Sequence, residues 1–133
     1  MSFQMDSRLS SCITLADWPL CRVLLKDNAD YPWLILVPRQ NGIRDMDDLS
    51  HELRHQLMDE MTQLSTIIKS YFKPDKLNVG TLGNIVSQLH IHFVARFTQD
   101  NLWPHGIWQA AQTQRNYSEV QLKKLVDDLR TML

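Results

Sequence analysis

The chain contains 133 residues, 44% of them hydrophobic, and its 14 basic and 15 acidic side chains give a formal net charge of −1. This size and composition predict a single domain, residues 1–133, with a hydrophobic core of its own. They exclude nucleic-acid binding by bulk charge, because no basic run is present, and a membrane span, because no stretch approaches roughly 18 apolar residues.

The N-terminal segment, MSFQMDSRLSSC, lacks the apolar stretch of an export signal. We therefore expect a cytoplasmic protein that does not contact membranes. Cys12 and Cys21 fit a reducing compartment, in which two such residues remain reduced and simply pack against their neighbours.

The first half of the chain predicts a β-hairpin followed by a long helix. Leu20 to Leu25 (LCRVLL) and Trp33 to Val37 (WLILV) have the apolar character of buried strands, and the KDNADYP segment between them is rich in turn residues. From Ser50, a plausible N-cap, apolar residues recur at steps of three and four until the helix ends before Pro74.

The second half predicts two more strands and a C-terminal helix. The strands are Lys76 to Thr81 and Val86 to Arg96, separated by a break at Gly83-Asn84. A helix with capping-box spacing begins at Ser118, after an irregular segment whose Trp103 to Trp108 portion we interpret as a core or dimer-contact element. The predicted fold class is α+β: an antiparallel sheet of about five strands, one long helix packed on it and a C-terminal helix.

The strand VSQLHIHFVAR carries an unusual alternation. Alternate side chains of a strand face opposite ways, so one face is apolar and belongs to the core. Along the strand His90 and His92 lie roughly 6.6–6.8 Å apart, so both rings can converge on one small group. The other face presents these two rings together with the remaining alternate residues, Gln88, Val94 and Arg96.

Two chemical interpretations of this face remain open. A His-x-His metal site needs further ligands, and the sequence shows no compact second cluster; His51 and His55 are four residues apart but fall in the polar first turns of the long helix. The alternative is phosphate chemistry, in which a neutral imidazole attacks phosphorus and a protonated second imidazole and a guanidinium assist. We favour the second interpretation and expect neither a metal nor a cofactor.

The same residues resemble the signature of the histidine-triad (HIT) family, His-φ-His-φ-His-φ-φ with an arginine soon after. Here Gln88 stands in place of the first histidine, and the motif continues through His90 and His92 to Val94. The segments RVLLKDNADYPWLILVPR and NVGTLGN also resemble family segments, so the likeness covers Pro19 to Trp108. The combination is similar to a bacterial HIT-like subgroup with a Gln-x-His-x-His motif.

The resemblance implies a HIT-like fold and hydrolysis or transfer at the α-phosphate of a small-molecule nucleotide, through a covalent nucleotidyl-histidine. It makes His90 the nucleophile, gives His92 the task of holding the phosphate, and puts Gln88 in a supporting catalytic role. It also implies a homodimer. The residues expected to bind the substrate are Asn78, Gly83, Asn84, Asp27, Leu25 and Arg96.

Three departures from the family pattern support an alternative function, and the first is Gln88 in place of a histidine. Ile85 stands where relatives often have a serine near the leaving group, and Trp33 stands where they often have a histidine. Loss of a positioned donor lowers rates by about 10²–10³. The alternative is therefore a catalytically weak or inactive nucleotide-binding or interaction module with the same pocket.

Overall fold

The computed structural model describes residues 2–108 and 114–133, which form five strands and two helices. The strands make one antiparallel sheet in the order β1-β2-β3-β5-β4. This confirms the predicted α+β fold. The elements are β1 (Ile13–Asp17), β2 (Cys21–Leu25), β3 (Trp33–Pro38), α1 (His51–Phe72), β4 (Lys76–Gly80), β5 (Ile91–Arg96) and α2 (Glu119–Met132).

The helices begin and end where their local chemistry predicts. Ser50 caps α1, its hydroxyl accepting from the Leu53 amide, and the helix stops at Lys73, whose φ of 53° is left-handed and is followed by proline. Ser118 and Gln121 form the predicted capping box at the start of α2. The long helix and the C-terminal helix are therefore confirmed.

Hydrophobic clusters cover both faces of the sheet. The larger one lies between the sheet and the helices, where α1 residues such as Leu64 and Ile68 meet Phe93 of β5. The smaller one covers the opposite face, where Leu24 and Val94 pack with the N-terminal arm, residues 2–12, and with the segment around Ile107. The predicted polar face of β5 is therefore partly covered by segments that are distant in sequence.

Two strands differ from the sequence predictions. β1 was not predicted, since a register shift between Thr14 and Ala16 interrupts its alternation. The histidine strand begins at Ile91, not at Val86, because the preceding residues make other contacts; the Leu89 amide, for example, donates to the Ile43 carbonyl at 2.9 Å.

Two features of the described chain bear on its surroundings. None of the helices in residues 2–108 and 114–133 has the length and apolar character that crossing a membrane requires. Both cysteines are free thiols, and burial raises the pKa of Cys12 and of Cys21. Because the thiolate is the reactive form, these two side chains are poor nucleophiles at neutral pH.

Candidate active site at the two histidines

The sheet brings the two histidine rings side by side. His92 is the second residue of β5 and lies between Ile35 of β3 and Gly80 of β4, while His90 directly precedes the strand. Their ring centroids are 4.9 Å apart and the ring planes are inclined by 75°. The alternation of the strand thus correctly predicted that the rings lie together.

The tautomer of His90 follows from one hydrogen bond. Its Nδ1 lies 2.7 Å from the main-chain carbonyl oxygen of Gln88. Since a carbonyl oxygen only accepts, Nδ1 must carry the proton and donate, which leaves a lone pair on Nε2. The position is fixed further by Thr81, whose hydroxyl donates to the His90 carbonyl at 2.7 Å. His90 is therefore held in the form that a nucleophilic Nε2 requires.

His92 is held in the opposite tautomer. The indole Nε1–H of Trp33 donates to His92 Nδ1 at 2.9 Å, so the proton of the neutral ring is on Nε2. Burial, with smaller contributions from the charges of His90 and Lys26, lowers the pKa of His92 from 6.5 to about 4. At neutral pH this ring is a neutral hydrogen-bond donor, whereas a protonated second imidazole was expected to assist the leaving group.

Two tryptophans flank His92. The Trp33 and His92 ring centroids are 5.5 Å apart, and those of His92 and Trp108 are 6.2 Å apart. A β-carbon at Gly80 would come within 3.2 Å of the Trp108 indole, so the close approach of this ring depends on glycine. The ammonium of Lys26 lies 4.0 Å from the centroid of the Trp33 ring.

The side chain of Gln88 is directed to the N-terminal arm. Its Oε1 accepts from the Asp6 amide at 2.8 Å, and its Nε2 donates to the Gln4 carbonyl at 2.9 Å. Only its main-chain carbonyl contacts His90. The structure thus gives the Gln88 side chain a clamping role in place of the expected catalytic one, because both its polar atoms are paired with the arm.

The arm also brings one carboxylate near His90. Hydrogen bonds from Arg8, whose guanidinium contacts the Asp6 carboxylate at 2.8 Å, lower the pKa of Asp6 to about 2, and the charge of His90 adds to this effect. Asp6 is therefore ionised at neutral pH, but its charge is offset by Arg8.

Arg96 was expected to act beside the histidines, but its side chain pairs elsewhere. Its side chain is 1% exposed and pairs through Nε and Nη2 with both carboxylate oxygens of Asp100, at 2.8 and 2.9 Å. Its Nη1 donates to Asn78 Oδ1 at 2.9 Å. These bonds hold the pKa of Asp100 below its usual range. Arg96 and Asn78 therefore form a buried structural network beneath Tyr31 and Trp103.

Two expected substrate-binding residues lie away from the rings. Leu25 is fully buried in the cluster beneath the helices, on the opposite face of the sheet from His92. The carboxylate of Asp27 accepts from the Tyr117 amide at 2.8 Å, so it ties the hairpin to the segment before α2. Alternation explains both placements, since Leu24 and Lys26 take the histidine face instead.

The loop between β4 and His90 carries Gly83 and Asn84, the remaining residues expected to bind the substrate. Gly83 has a φ of 73°, a left-handed conformation that favours glycine, and Asn84 next to it is exposed. The Ile85 side chain is 83% exposed, so it takes part in no packing. This loop leaves main-chain amides and an asparagine side chain near the start of the histidine pair.

The described residues hold a second pair of adjoining histidines, His51 and His55 on α1, whose ring centroids are 4.3 Å apart. They contain no group of three or more His, Cys, Asp or Glu side chains placed to hold a metal ion. A cavity of about 390 Å³ near the ends of the two helices is lined by residues such as Tyr71, Tyr117 and Leu125 and contains no histidine. The rings of His90 and His92 are therefore the candidate reactive groups.

An antiparallel sheet with two adjoining histidines after a glycine turn is the arrangement of the histidine triad (HIT) family, and the chain belongs to that family. A sequence model of the HIT domain matches residues 10–99. Members are generally nucleotide-binding hydrolases or transferases. Membership of a bacterial subgroup defined by the Gln-x-His-x-His motif stays a prediction.

Solved structures of histidine triad proteins from bacteria are similar over nearly the whole chain. The protein from Marinobacter aquaeolei VT8 is 37% identical, with a TM-score of 0.94 and coverage of 100% of this chain and 97% of its own. The protein from Bradyrhizobium japonicum is 36% identical, with a TM-score of 0.94 and coverage of 99% and 98%. The protein from Sinorhizobium meliloti 1021 is 30% identical, with a TM-score of 0.92 and coverage of 98% and 97%. No curated protein sequence matches the chain.

Sequence reasoning missed three residues that shape this site. Lys26 lies on the histidine face because the β2 alternation continues one residue beyond the strand, a signal that the sequence did contain. Trp33 was recognised only as a departure, although it fixes the His92 tautomer. Trp108 had no local signal, because its contact with Gly80 joins segments that are far apart in the chain.

Proposed function

We propose that this protein is a nucleotide phosphohydrolase or nucleotidyl transferase that acts at the α-phosphate through a covalent nucleotidyl-histidine on His90. The observation that carries the proposal is the 2.7 Å bond from His90 Nδ1–H to the Gln88 carbonyl oxygen. It leaves the Nε2 lone pair for attack on phosphorus, and the same carbonyl stabilises the positive charge that the ring acquires when the bond forms.

In the first step, His90 Nε2 donates its lone pair to the α-phosphorus while the bond from phosphorus to the leaving group breaks. The leaving group takes that electron pair, and an amine leaving group also takes a proton from water. In the second step, water attacks phosphorus, the phosphorus–nitrogen bond breaks, and the water proton passes to solvent as His90 regains its neutral form. In a transfer reaction another nucleophile replaces water.

The proposal gives His92 the role of a fixed donor. Its Nε2–H bonds a phosphoryl oxygen, and Trp33 keeps the proton on that nitrogen. Because the pKa of His92 is about 4, the ring does not protonate a leaving group at neutral pH. Substrates with stable leaving groups should therefore react faster than those that need an acid. The amides after Gly83 and the Asn84 side chain are proposed to bind the phosphate.

The test is intact-mass analysis after incubation with adenosine phosphoramidate or a fluorogenic nucleotidyl ester. Wild type is expected to release product and to form a nucleotidyl adduct, and His90→Ala is expected to do neither. Thr66→Ala, on the exposed side of α1, is the matched control and should behave as wild type. Equal product release by wild type and His90→Ala overturns the proposal.

A second candidate is a nucleotide-binding module with little or no turnover. Two observations favour it: the leaving-group side lacks a protonated imidazole, since the pKa of His92 is about 4, and Ile85 faces solvent where a hydroxyl donor is expected. Tight nucleotide binding with no adduct on His90 by mass would establish this function over the first.

The homodimer and the cytoplasmic location remain predictions of this proposal. Light scattering of the purified protein measures the first, and fractionation of the producing cells measures the second.

A further inference from the structure

His51 and His55 form a second pair of imidazoles, on the first two turns of α1. They are four residues apart, so both side chains lie on one face of the helix. Their ring centroids are 4.3 Å apart and the ring planes are inclined by 46°. Both residues are exposed, and α1 packs on the face of the sheet opposite to His92. The pair therefore lies outside the candidate active site, with its rings open to solvent.

The separation of these two rings fits the binding of one metal ion by both. An imidazole nitrogen binds a transition metal at about 2.0 Å, which places the ring centroid about 3.1 Å from the ion. With a right angle between the two metal–nitrogen bonds the centroids are about 4.4 Å apart, whereas a tetrahedral angle separates them by about 5.1 Å. The observed 4.3 Å matches the right angle. Cu²⁺ and Ni²⁺ accept imidazole and favour square-planar or tetragonal geometries, which contain this angle.

The charge of the surrounding segment also favours a cation. Residues 45–59 carry one basic side chain, Arg54, and five acidic ones, which are Asp45, Asp47, Asp48, Glu52 and Asp59. The Arg54 guanidinium donates to the Leu49 carbonyl at 2.6 Å, so it is held at the main chain before the helix. The positive end of the α1 dipole opposes a cation at this end of the helix, and the acidic segment offsets that effect.

We propose that His51 and His55 bind one divalent transition-metal ion, Cu²⁺ or Ni²⁺, through one nitrogen of each ring, with water at the remaining positions. Within residues 2–108 and 114–133 no third His, Cys, Asp or Glu side chain is placed to join them, so two protein ligands hold the ion. Each ring donates an electron pair to the ion and displaces one water, and nothing is oxidised or reduced. Because the rings come from successive turns, the bound ion links those turns and stabilises the start of α1. This site is independent of the reaction proposed at His90.

The experiment measures Ni²⁺ binding to the untagged protein by calorimetry. His51→Ala and His55→Ala should each weaken the binding by about tenfold or more, because removing either ring turns a two-ligand site into a single-ligand one. Alanine retains the helix, since it has the highest helix propensity. His51→Ala combined with Asp59→His places a ring four residues after His55 and should restore the affinity. His105→Ala removes an exposed histidine elsewhere, and this matched control should bind Ni²⁺ as wild type does.

Urea unfolding gives a second readout. Ni²⁺ should raise the urea midpoint of wild type, because the folded chain holds both rings together and the unfolded chain does not. The rise should be lost in His51→Ala and regained with Asp59→His. Mg²⁺, which prefers oxygen ligands, should not raise the midpoint.

Four results overturn the proposal. The first is that wild type does not bind Ni²⁺, and the second is that His51→Ala binds it as tightly as wild type. The third is an equal rise of the midpoint with Mg²⁺, which would show that the acidic segment attracts the ion without the imidazoles. The fourth is binding that persists in His51→Ala and is lost in His90→Ala, which would place the ion at the other histidine pair.

Discussion

Replacing Trp33 by phenylalanine tests which ring nitrogens of His90 and His92 carry protons. In wild type, His90 should carry its proton on Nδ1 and His92 on Nε2, because one ring donates to a carbonyl and the other accepts from an indole. Trp33→Phe keeps an aromatic ring in the hydrophobic cluster and removes the donor to His92. It therefore separates the hydrogen bond from the packing.

The size of the effect follows from the bond that is lost. A hydrogen bond of this kind contributes about 0.5–1.5 kcal/mol and stabilises only the neutral ring, so its loss should raise the pKa of His92 by about 0.4 to 1 unit. The pKa in wild type is about 4 because of burial, and burial remains in the variant. The His92 pKa in Trp33→Phe should thus stay below the ordinary histidine value of 6.5.

Nitrogen-15 spectra of the imidazole rings, recorded as a function of pH, measure both the tautomers and the pKa values. Trp18→Phe is the matched control, because Trp18 is buried in the cluster on the helix face and should not influence His92. The reasoning is refuted if the two wild-type rings share one tautomer, or if the His92 pKa is the same in Trp33→Phe and in wild type.

Three further outcomes are expected. The folded pKa of His92, about 4, lies below the unfolded value of 6.5, so the unfolded chain takes up the proton first as pH falls. The free energy of unfolding should therefore fall by about 3 kcal/mol as pH drops from 6.5 to 4. Urea unfolding at stepped pH measures this loss, and the loss should be smaller in His92→Gln. Asp100→Asn breaks a buried ion pair and should lower the free energy of unfolding by about 3–5 kcal/mol. Asp127→Asn breaks an exposed pair and should lower it by less than about 1 kcal/mol. Equal losses would show that burial does not decide the cost of breaking these pairs. Gln88→Ala should speed hydrogen exchange at the Asp6 amide, and unchanged exchange would show that the clamp is not needed.

The sequence predicted those parts of the molecule that depend on neighbours in the chain. The periodicity and caps of α1 and α2 are local, and so is the alternation that places His90 beside His92. The contacts of Gln88 and Asp27 were not predicted, because their partners, Asp6 and Tyr117, lie 82 and 90 residues away. For Arg96 the partner Asp100 was only four residues away, but its pairing depends on the chain turning back at the end of β5.

The pKa values of the site residues also could not be predicted from the sequence. The second imidazole was expected to be protonated, but the pKa of His92 depends on how thoroughly the surrounding rings exclude water. Part of that burial comes from Trp108, which lies beyond β5 and whose approach to His92 has no periodic signal in the chain. The sequence therefore identifies the candidate residues, and it does not predict their protonation states.

The clamp at Gln88 joins the first residue of the motif to the N-terminal arm. A chain that lost residues 4–6 would leave the glutamine amide without either of its main-chain partners. A chain with histidine at position 88 would carry its acceptor and its donor on separate ring nitrogens and not on one amide group, so it would not match the same two partners. Across aligned sequences, glutamine at this position and a segment that matches residues 4–6 should therefore occur together.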